Sequence, residues 1–184
     1  IDCFTTVSEL TARECGQLIE RECDVILENG FEKDFVPVGK EFNAKRKQAR
    51  DIRLRVARAL TGDTISDDAV IINLGGRMEM RNKGVDMFLE SMARLNACSE
   101  LERDVVAFVD VPAWSGSARE DLVKRLRSDR QTWETPLPNP YVTHELNNFY
   151  DDAIACSIRN LRIDNRSGRN RVKVIYVPCY LKGN

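Results

Sequence analysis

AVIINLGGRMEMRNKGVDMFLESMARLN, residues 69–96, reads in order as a strand, a turn, a polar loop and a helix. Val70 to Leu74 is short, apolar and rich in β-branched residues, as a buried strand requires. Gly75-Gly76-Arg77 then makes a turn, and Asn82-Lys83-Gly84 closes a polar loop. From there Val85, Phe88, Leu89, Met92 and Leu95 recur at spacings of three and four, one face of a helix. This order predicts that backbone N–H groups, a helix N-terminus, Arg77 and Lys83 gather around one point, which suits a phosphate.

Working outward, Val105 to Val109 and Val172 to Val177 repeat the strand pattern. The runs at 70–74 and 105–109 are almost continuously apolar, the mark of parallel strands covered on both faces. With the helix between them they make a βαβ unit, expected to be right-handed. The fold class is therefore α/β. The longer connection from Pro112 to Arg171 holds a charged helix from Ala118 to about Trp133, a break at Pro136, Pro138 and Pro140, and a helix near Asp151 to Leu161. Such a connection is expected to be a surface excursion with a functional or oligomeric role.

Towards the N-terminus, Cys3 to Val7 is strand-like. Ser8 can cap a helix, and Thr11 with Glu14 offers a second capping box, so a helix is expected to about Glu22. Asp24 to Leu27 predicts a short strand ended by Asn29-Gly30. Phe31 to Phe42 shows no period and reads as a linker. Asn43 to Leu60 reads as a basic helix with Ile52, Val56 and Leu60 on one face and a solvated cationic face opposite. Gly62 ends it.

The 184 residues are 42% apolar and 31% charged, with a formal net charge of −1, an ordinary globular composition. That balance gives no general attraction to nucleic acid or to an anionic membrane. No apolar run approaches the ~20 residues that span a bilayer. The start at Ile1-Asp2-Cys3-Phe4, inside an apolar segment, suggests a fragment. Six scattered cysteines without a CxxC pair, and one histidine, exclude zinc spacing and point to a reduced, cytoplasmic protein. Cys3, Cys98 and Cys156 lie beside apolar neighbours and are expected in the core.

In α/β sheets ligands bind beyond the carboxyl ends of the strands, where Gly75, Gly76 and Arg77 lie. Glycine admits a ligand close to the backbone, Arg77 can fork two hydrogen bonds onto phosphate oxygens, and Lys83 adds a point charge. The alternative is a tight turn in which Arg77 pairs with Glu79 and Lys83 is solvated. The spacing leaves both open, being neither a P-loop nor a dinucleotide fingerprint. His144, expected just before a helix, could be a general base or a structural hydrogen-bonder. Asp67-Asp68 and Asp151-Asp152 are explained as caps at element starts. Trp114 and Trp133 are too far apart in sequence to suggest a sugar platform.

Several motifs, taken in order, resemble the animal- and fungal-type glycogen synthase family. These are Phe4-Thr5-Thr6-Val7-Ser8 with Asn29-Gly30, and Gly76-Arg77-x-Glu79-x-x-Asn82-Lys83-Gly84-Val85-Asp86-Met87-Phe88 followed by Ala93-Arg94-Leu95-Asn96. Val105 to Phe108 with Pro112-Ala113, then Thr143-His144 and Arg171 to Ile175, continue the match, loosest at Phe31 to Ala69. The resemblance implies part of a two-domain GT-B enzyme with Rossmann-like sheets. Residues 1–30 would be the end of the N-terminal domain and the hinge, and residues 31–184 the first part of the nucleotide-binding domain. A helical insertion would lie at about 112–170.

It also implies a retaining transfer of glucose from UDP-glucose to the non-reducing end of an α-1,4-glucan. The base, uracil or adenine, is left open by the residues themselves. Arg77 and Lys83 would stabilise the departing diphosphate, with Gly75 and Gly76 beside the nucleotide phosphates. No cofactor or metal is implied, because two side chains supply the charge. The stop at Gly183-Asn184, before the family's glutamate-bearing segment, and the missing front of the N-terminal domain imply a chain silent by itself. The absence of the eukaryotic arginine cluster for glucose-6-phosphate suggests a bacterial member. The competing expectation is a non-catalytic interaction or oligomerisation module with a structural Arg77.

Overall fold

The computed structural model describes residues 2–166 and 170–180. Ile1 and Gly183-Asn184, on which readings of the chain's ends rest, lie outside the described residues. The chain divides into two compact units, Ile1–Lys45 and Arg46–Asn184.

In the first unit, β1 (Thr5–Thr6) pairs in parallel with β2 (Val25–Ile26), and α1 (Glu9–Ile19) connects them. Ser8 is the N-cap of α1, as its sequence position predicts, and its Oγ accepts from the Thr11 amide at 3.2 Å. No residue of α1 is buried, and Leu10, Leu18, Val25 and Leu27 are all exposed. The Asp24 carboxylate holds the start of the strand pair by accepting from the Phe4 amide at 2.6 Å. After β2 a single 3-10 turn, Lys33–Phe35, precedes α2 (Gly39–Thr61), which begins four residues earlier than the sequence reading placed it. The division between the units falls within α2.

The second unit is built on a parallel sheet of order β3-β4-β7, from β3 (Val70–Gly75), β4 (Val105–Asp110) and β7 (Val172–Tyr176). These are the three strands that the apolar runs predict. Strand alternation sends Val105, Ala107 and Val109 to one core, shared with α3 (Val85–Asn96) and α5 (Ala153–Asn160). Val106, Phe108 and Ile175 face the other core, with Leu54, Ala57 and Leu60 of α2 and Leu122 of α4 (Glu120–Arg127). Fully burying a side chain such as Leu54 or Leu60 contributes roughly 1.5–3 kcal/mol, so these two layers hold the sheet.

The strands are not alike. All six residues of β4 are buried, as expected for a central parallel strand. Those of β3 are only half-buried or exposed, because among the described residues β3 has a strand neighbour on one side alone. The expectation that both are covered on both faces holds only for β4.

The Pro112 to Arg171 connection is not a free excursion. Tyr141, Val142, Ile154, Ile158 and Ile163 complete one core, and Leu122, Trp133 and Leu137 complete the other. It contains an antiparallel strand pair that the sequence reading missed, β5 (Ser115–Ala118) with β6 (His144–Leu146). His144 therefore opens a strand rather than preceding a helix. The charged helix is shorter than expected, ending at Arg127, while Asp152 caps α5 by accepting from the Ala155 amide at 2.8 Å. The cysteine expectation is corrected too: Cys3 and Cys98 are exposed and Cys156 is half-buried. Apolar neighbours in sequence do not bury a residue that falls outside an element, as Cys3 and Cys98 do, or beside the buried stripe of a helix, as Cys156 does next to Ala155 of α5.

The cationic face of α2 is likewise not simply solvated. Arg50 donates to the carbonyls of Asp67 and Ala69, Arg58 to that of Ile65, and Arg55 to that of Ser128. Two lysines make the exposed i,i+4 pairs expected of a solvated face, Lys45 with Glu41 at 2.9 Å and Lys47 with Asp51 at 2.6 Å. Gly62 ends the helix with φ +69°, and a Cβ there would lie 2.3 Å from the Thr135 carbonyl carbon. Only glycine fits that left-handed, crowded position.

Candidate functional site

The carboxyl end of β3 delivers Gly75 and Gly76 beside the end of β4. Gly75 is in register with Asp110, and the Gly76 amide donates to the Asp110 carbonyl at 3.4 Å. The loop then folds back on itself. The Lys83 amide donates to the Glu79 carbonyl at 2.9 Å and the Gly84 amide to that of Arg81 at 3.0 Å. Gly84, with φ +65°, turns the chain into α3.

This return lays the Lys83 stem over the glycine turn. A Cβ on Gly76 would sit 3.6 Å from Lys83 Cγ. Gly76 and Lys83, seven positions apart in one short loop, thus form one small surface. The Lys83 ammonium has no partner among the described residues.

Arg77 Nε pairs with Glu79 Oε1 at 3.1 Å, and its side chain is 76% exposed. This is the contact foreseen for the plain structural turn. Glu79 also accepts from Asn82 Nδ2 at 3.4 Å, so one carboxylate orders the loop. The pair engages Nε and leaves the terminal nitrogens of Arg77, the fork suited to phosphate, without a described partner. The helix N-terminus is less open than expected, since the Val85 and Asp86 amides both donate to the Met80 carbonyl and the Met87 amide to Asp86 Oδ1. Charge at this site is therefore carried by side chains more than by the helix.

On the opposite face of the same strand ends lies a network that sequence reasoning missed. Asp110 Oδ2 accepts from Arg53 Nη2 at 3.1 Å and from Asn73 Nδ2, while Arg53 Nη1 donates to Asn73 Oδ1. Arg53 also lies 4.5 Å over the Phe108 ring. The available signal was one aspartate closing an otherwise apolar run at a strand's carboxyl end.

His144 sits elsewhere, on β6. Its Nδ1 is 2.8 Å from Thr143 Oγ1, whose proton is directed to the Tyr176 carbonyl at 3.2 Å. The imidazole must then donate from Nδ1, and burial pushes its pKa below the usual 6.5. In this arrangement it is a structural hydrogen-bonder, its only hydroxyl neighbour among the described residues being Thr143, whose own proton is committed to a carbonyl. Burial also raises the Cys179 thiol, with the Asp110 charge adding to the effect. Among the described residues no cluster of three metal-ligating side chains occurs, and no helix is long and apolar enough to cross a membrane.

The glycine turn, its following loop and the motif residues at 4–8 and 29–30 fall within residues 1–136, which match the family model described as glycogen synthase. The chain belongs to the glycogen synthase family. A "Glycogen [starch] synthase isoform 1" of Saccharomyces cerevisiae is 30% identical over 244 aligned residues, covering 100% of this chain and 34% of that protein. A "Glycogen [starch] synthase" of Neurospora crassa is 29% identical, covering 98% of the chain and 33% of its own length. The liver "Glycogen [starch] synthase" of Rattus norvegicus is 33% identical over 72% of the chain and 20% of its own length. The chain thus spans about a third of the length of its fungal relatives. Because 244 aligned positions cover only 184 residues, the yeast protein also carries stretches inside this span that the present chain lacks.

Proposed function

We propose that this chain supplies the donor-phosphate part of a retaining glucosyltransferase of glycogen biosynthesis. In this reading the sugar nucleotide, UDP-glucose, places its diphosphate against Gly75 and Gly76, between the Arg77 fork and Lys83. When the bond from the glucosyl C1 to the phosphate oxygen breaks, both electrons leave on the diphosphate. The 4-hydroxyl at the non-reducing end of an α-1,4-glucan bonds to C1 on the same face, and its proton passes to the departing oxygen. Cations already in position stabilise the charge as it develops, without reorganising. The reaction takes place in the cytoplasm.

The observation that carries this reading is the unpartnered Lys83 ammonium laid over Gly76, next to an arginine whose terminal nitrogens are unengaged. A purely structural Arg77 is disfavoured because an ion pair this exposed contributes at most ~1 kcal/mol. The parallel β3-β4-β7 sheet with helices on both faces supports assignment to the nucleotide-binding Rossmann-like domain of a GT-B enzyme. Residues 1–30 are assigned to the end of the N-terminal domain and the hinge. Self-association through the 112–170 segment would use its outer surface, since its inner residues are committed to the core.

Calorimetric titration of UDP into the wild type and Arg77→Ala tests the reading. Binding that disappears in a folded variant supports the clamp. Equal affinity in the two proteins removes Arg77 from the site, and no binding to the folded wild type removes the donor assignment.

A further inference from the structure

Three polar side chains close a ring of hydrogen bonds just before the glycine turn. Arg53 Nη1 donates to Asn73 Oδ1, Asn73 Nδ2 donates to Asp110 Oδ2, and Arg53 Nη2 donates to the same Asp110 oxygen at 3.1 Å. The members come from three different elements, α2, β3 and β4. Each is tied to both others, so none shifts without disturbing the rest. The Arg53 guanidinium also lies 4.5 Å over the ring of Phe108, which is the strand partner of Asn73.

Packing alone gives no reason for such a ring. Asn73 interrupts the apolar run of β3, and Asp110 closes a strand in which every residue is buried. Taking charged groups out of water is unfavourable, and apolar side chains of similar volume commonly fill such a place as well or better. What a closed polar network adds is direction. Hydrogen bonds weaken steeply when their angles change, whereas apolar contacts tolerate a slide.

The next feature along the chain needs that direction. Strand alternation puts Gly75 on the same face as Asn73, and Gly75 is in register with Asp110. A Cβ added to Gly75 would meet only the Asp110 carbonyl oxygen within 4 Å, so the turn has no side chain with which to pack there. The Gly76 amide reaches that same carbonyl by a long bond of 3.4 Å. Among the described residues β3 has a strand neighbour on one side alone, so the sheet braces its end from that side only.

We propose that Arg53, Asn73 and Asp110 are positioning residues for the donor site. By locking the end of β3 to the end of β4 and to α2, they set where Gly75 and Gly76 present their backbone to a diphosphate. The ring acts through the turn and not by touching the phosphates. This inference rests on the reading of the turn as the diphosphate site.

Two variants separate positioning from stability. Asn73→Leu opens the ring but keeps the Arg53–Asp110 ion pair, and the triple variant Arg53→Met, Asn73→Leu, Asp110→Leu replaces the ring by apolar packing. UDP titration is run on samples shown to be folded by circular dichroism, and 15N relaxation of the free proteins gives the backbone order parameters of Gly75 and Gly76. Both variants are expected to bind UDP roughly tenfold more weakly, while the two order parameters fall from about 0.85 towards about 0.6. Asn73→Leu carries the decision if the triple variant does not fold. Wild-type values of both quantities in folded Asn73→Leu overturn the proposal, and so does either change without the other. No UDP binding by the folded wild type refutes the donor reading, and the order parameters then decide alone whether the ring holds the turn.

Discussion

The ends of β3 and β4 lie side by side, with Gly75 opposite Asp110, and each holds an arginine. At the β3 end Arg77 is 76% exposed, with one carboxylate partner on a polar loop. At the β4 end Arg53 is 27% exposed, bonded to Asn73 and to a 5% exposed Asp110 and stacked on Phe108. The half-buried arginine has committed both terminal nitrogens to the protein, so its removal leaves a desolvated carboxylate without its counter-charge. The exposed one keeps its fork, so its removal should be felt by a ligand and hardly by the fold. Residue type alone does not separate the two roles; the number of partners and their burial do.

Four substitutions would break or sharpen this contrast. Asp110→Ala should be the most damaging, costing about 3 kcal/mol in urea denaturation, because Arg53 and Asn73 lose their common acceptor at the end of the central strand. A loss below ~1 kcal/mol would mean that the network is ornamental. Gly62→Ala should cost about 2 kcal/mol by the same measurement, since its Cβ meets backbone of Thr135 and Pro136 at a positive φ. Arg77→Ala should change stability by less than ~1 kcal/mol, while UDP binding is lost. Equal damage from Arg77→Ala and Asp110→Ala in denaturation would erase the distinction between the strand ends.

The smallest effect concerns pH. His144 is the only histidine, and its folded pKa lies below the unfolded value of 6.5. The unfolded chain therefore binds the proton more readily, so the stability held above pH 6.5 is lost as pH falls from there towards the folded pKa. Stability profiles of wild type and His144→Gln should diverge in that window and run parallel above it. Profiles that stay parallel on both sides would show the imidazole to be as hydrated folded as unfolded.

Much of the sheet was legible because Val70–Leu74, Val105–Val109 and Val172–Val177 carry their own signal, and Ser8, Gly62 and Asp152 mark helix ends by local chemistry. The closeness of Gly76 and Lys83 was legible for the same reason, being set within one short loop. Arg53, Asn73 and Asp110 were not, because the arginine and the aspartate are 57 residues apart and nothing local distinguishes this arginine from Arg46 or Arg50. The β5–β6 pair was hidden by its composition, Ser-Gly-Ser-Ala against His-Glu-Leu, which has little strand propensity and is imposed by the core beneath it. The same applies to Trp114 and Trp133, whose opposite exposures depend on tertiary neighbours alone.

The arginines of α2 close many of their bonds on main-chain carbonyls: Arg50 on Asp67 and Ala69, Arg55 on Ser128, Arg58 on Ile65. A carbonyl neither titrates nor changes with the residue that bears it. At Ile65, Ala69 and Ser128 the anchor does not depend on the side chain, whereas Asp67 is also held through its carboxylate by Arg58 at 2.7 Å, and lysine in place of Arg50 or Arg58 would lose the two-pronged grip. The helix thus ties down loop positions mostly through their main chain, and the constraint falls chiefly on α2.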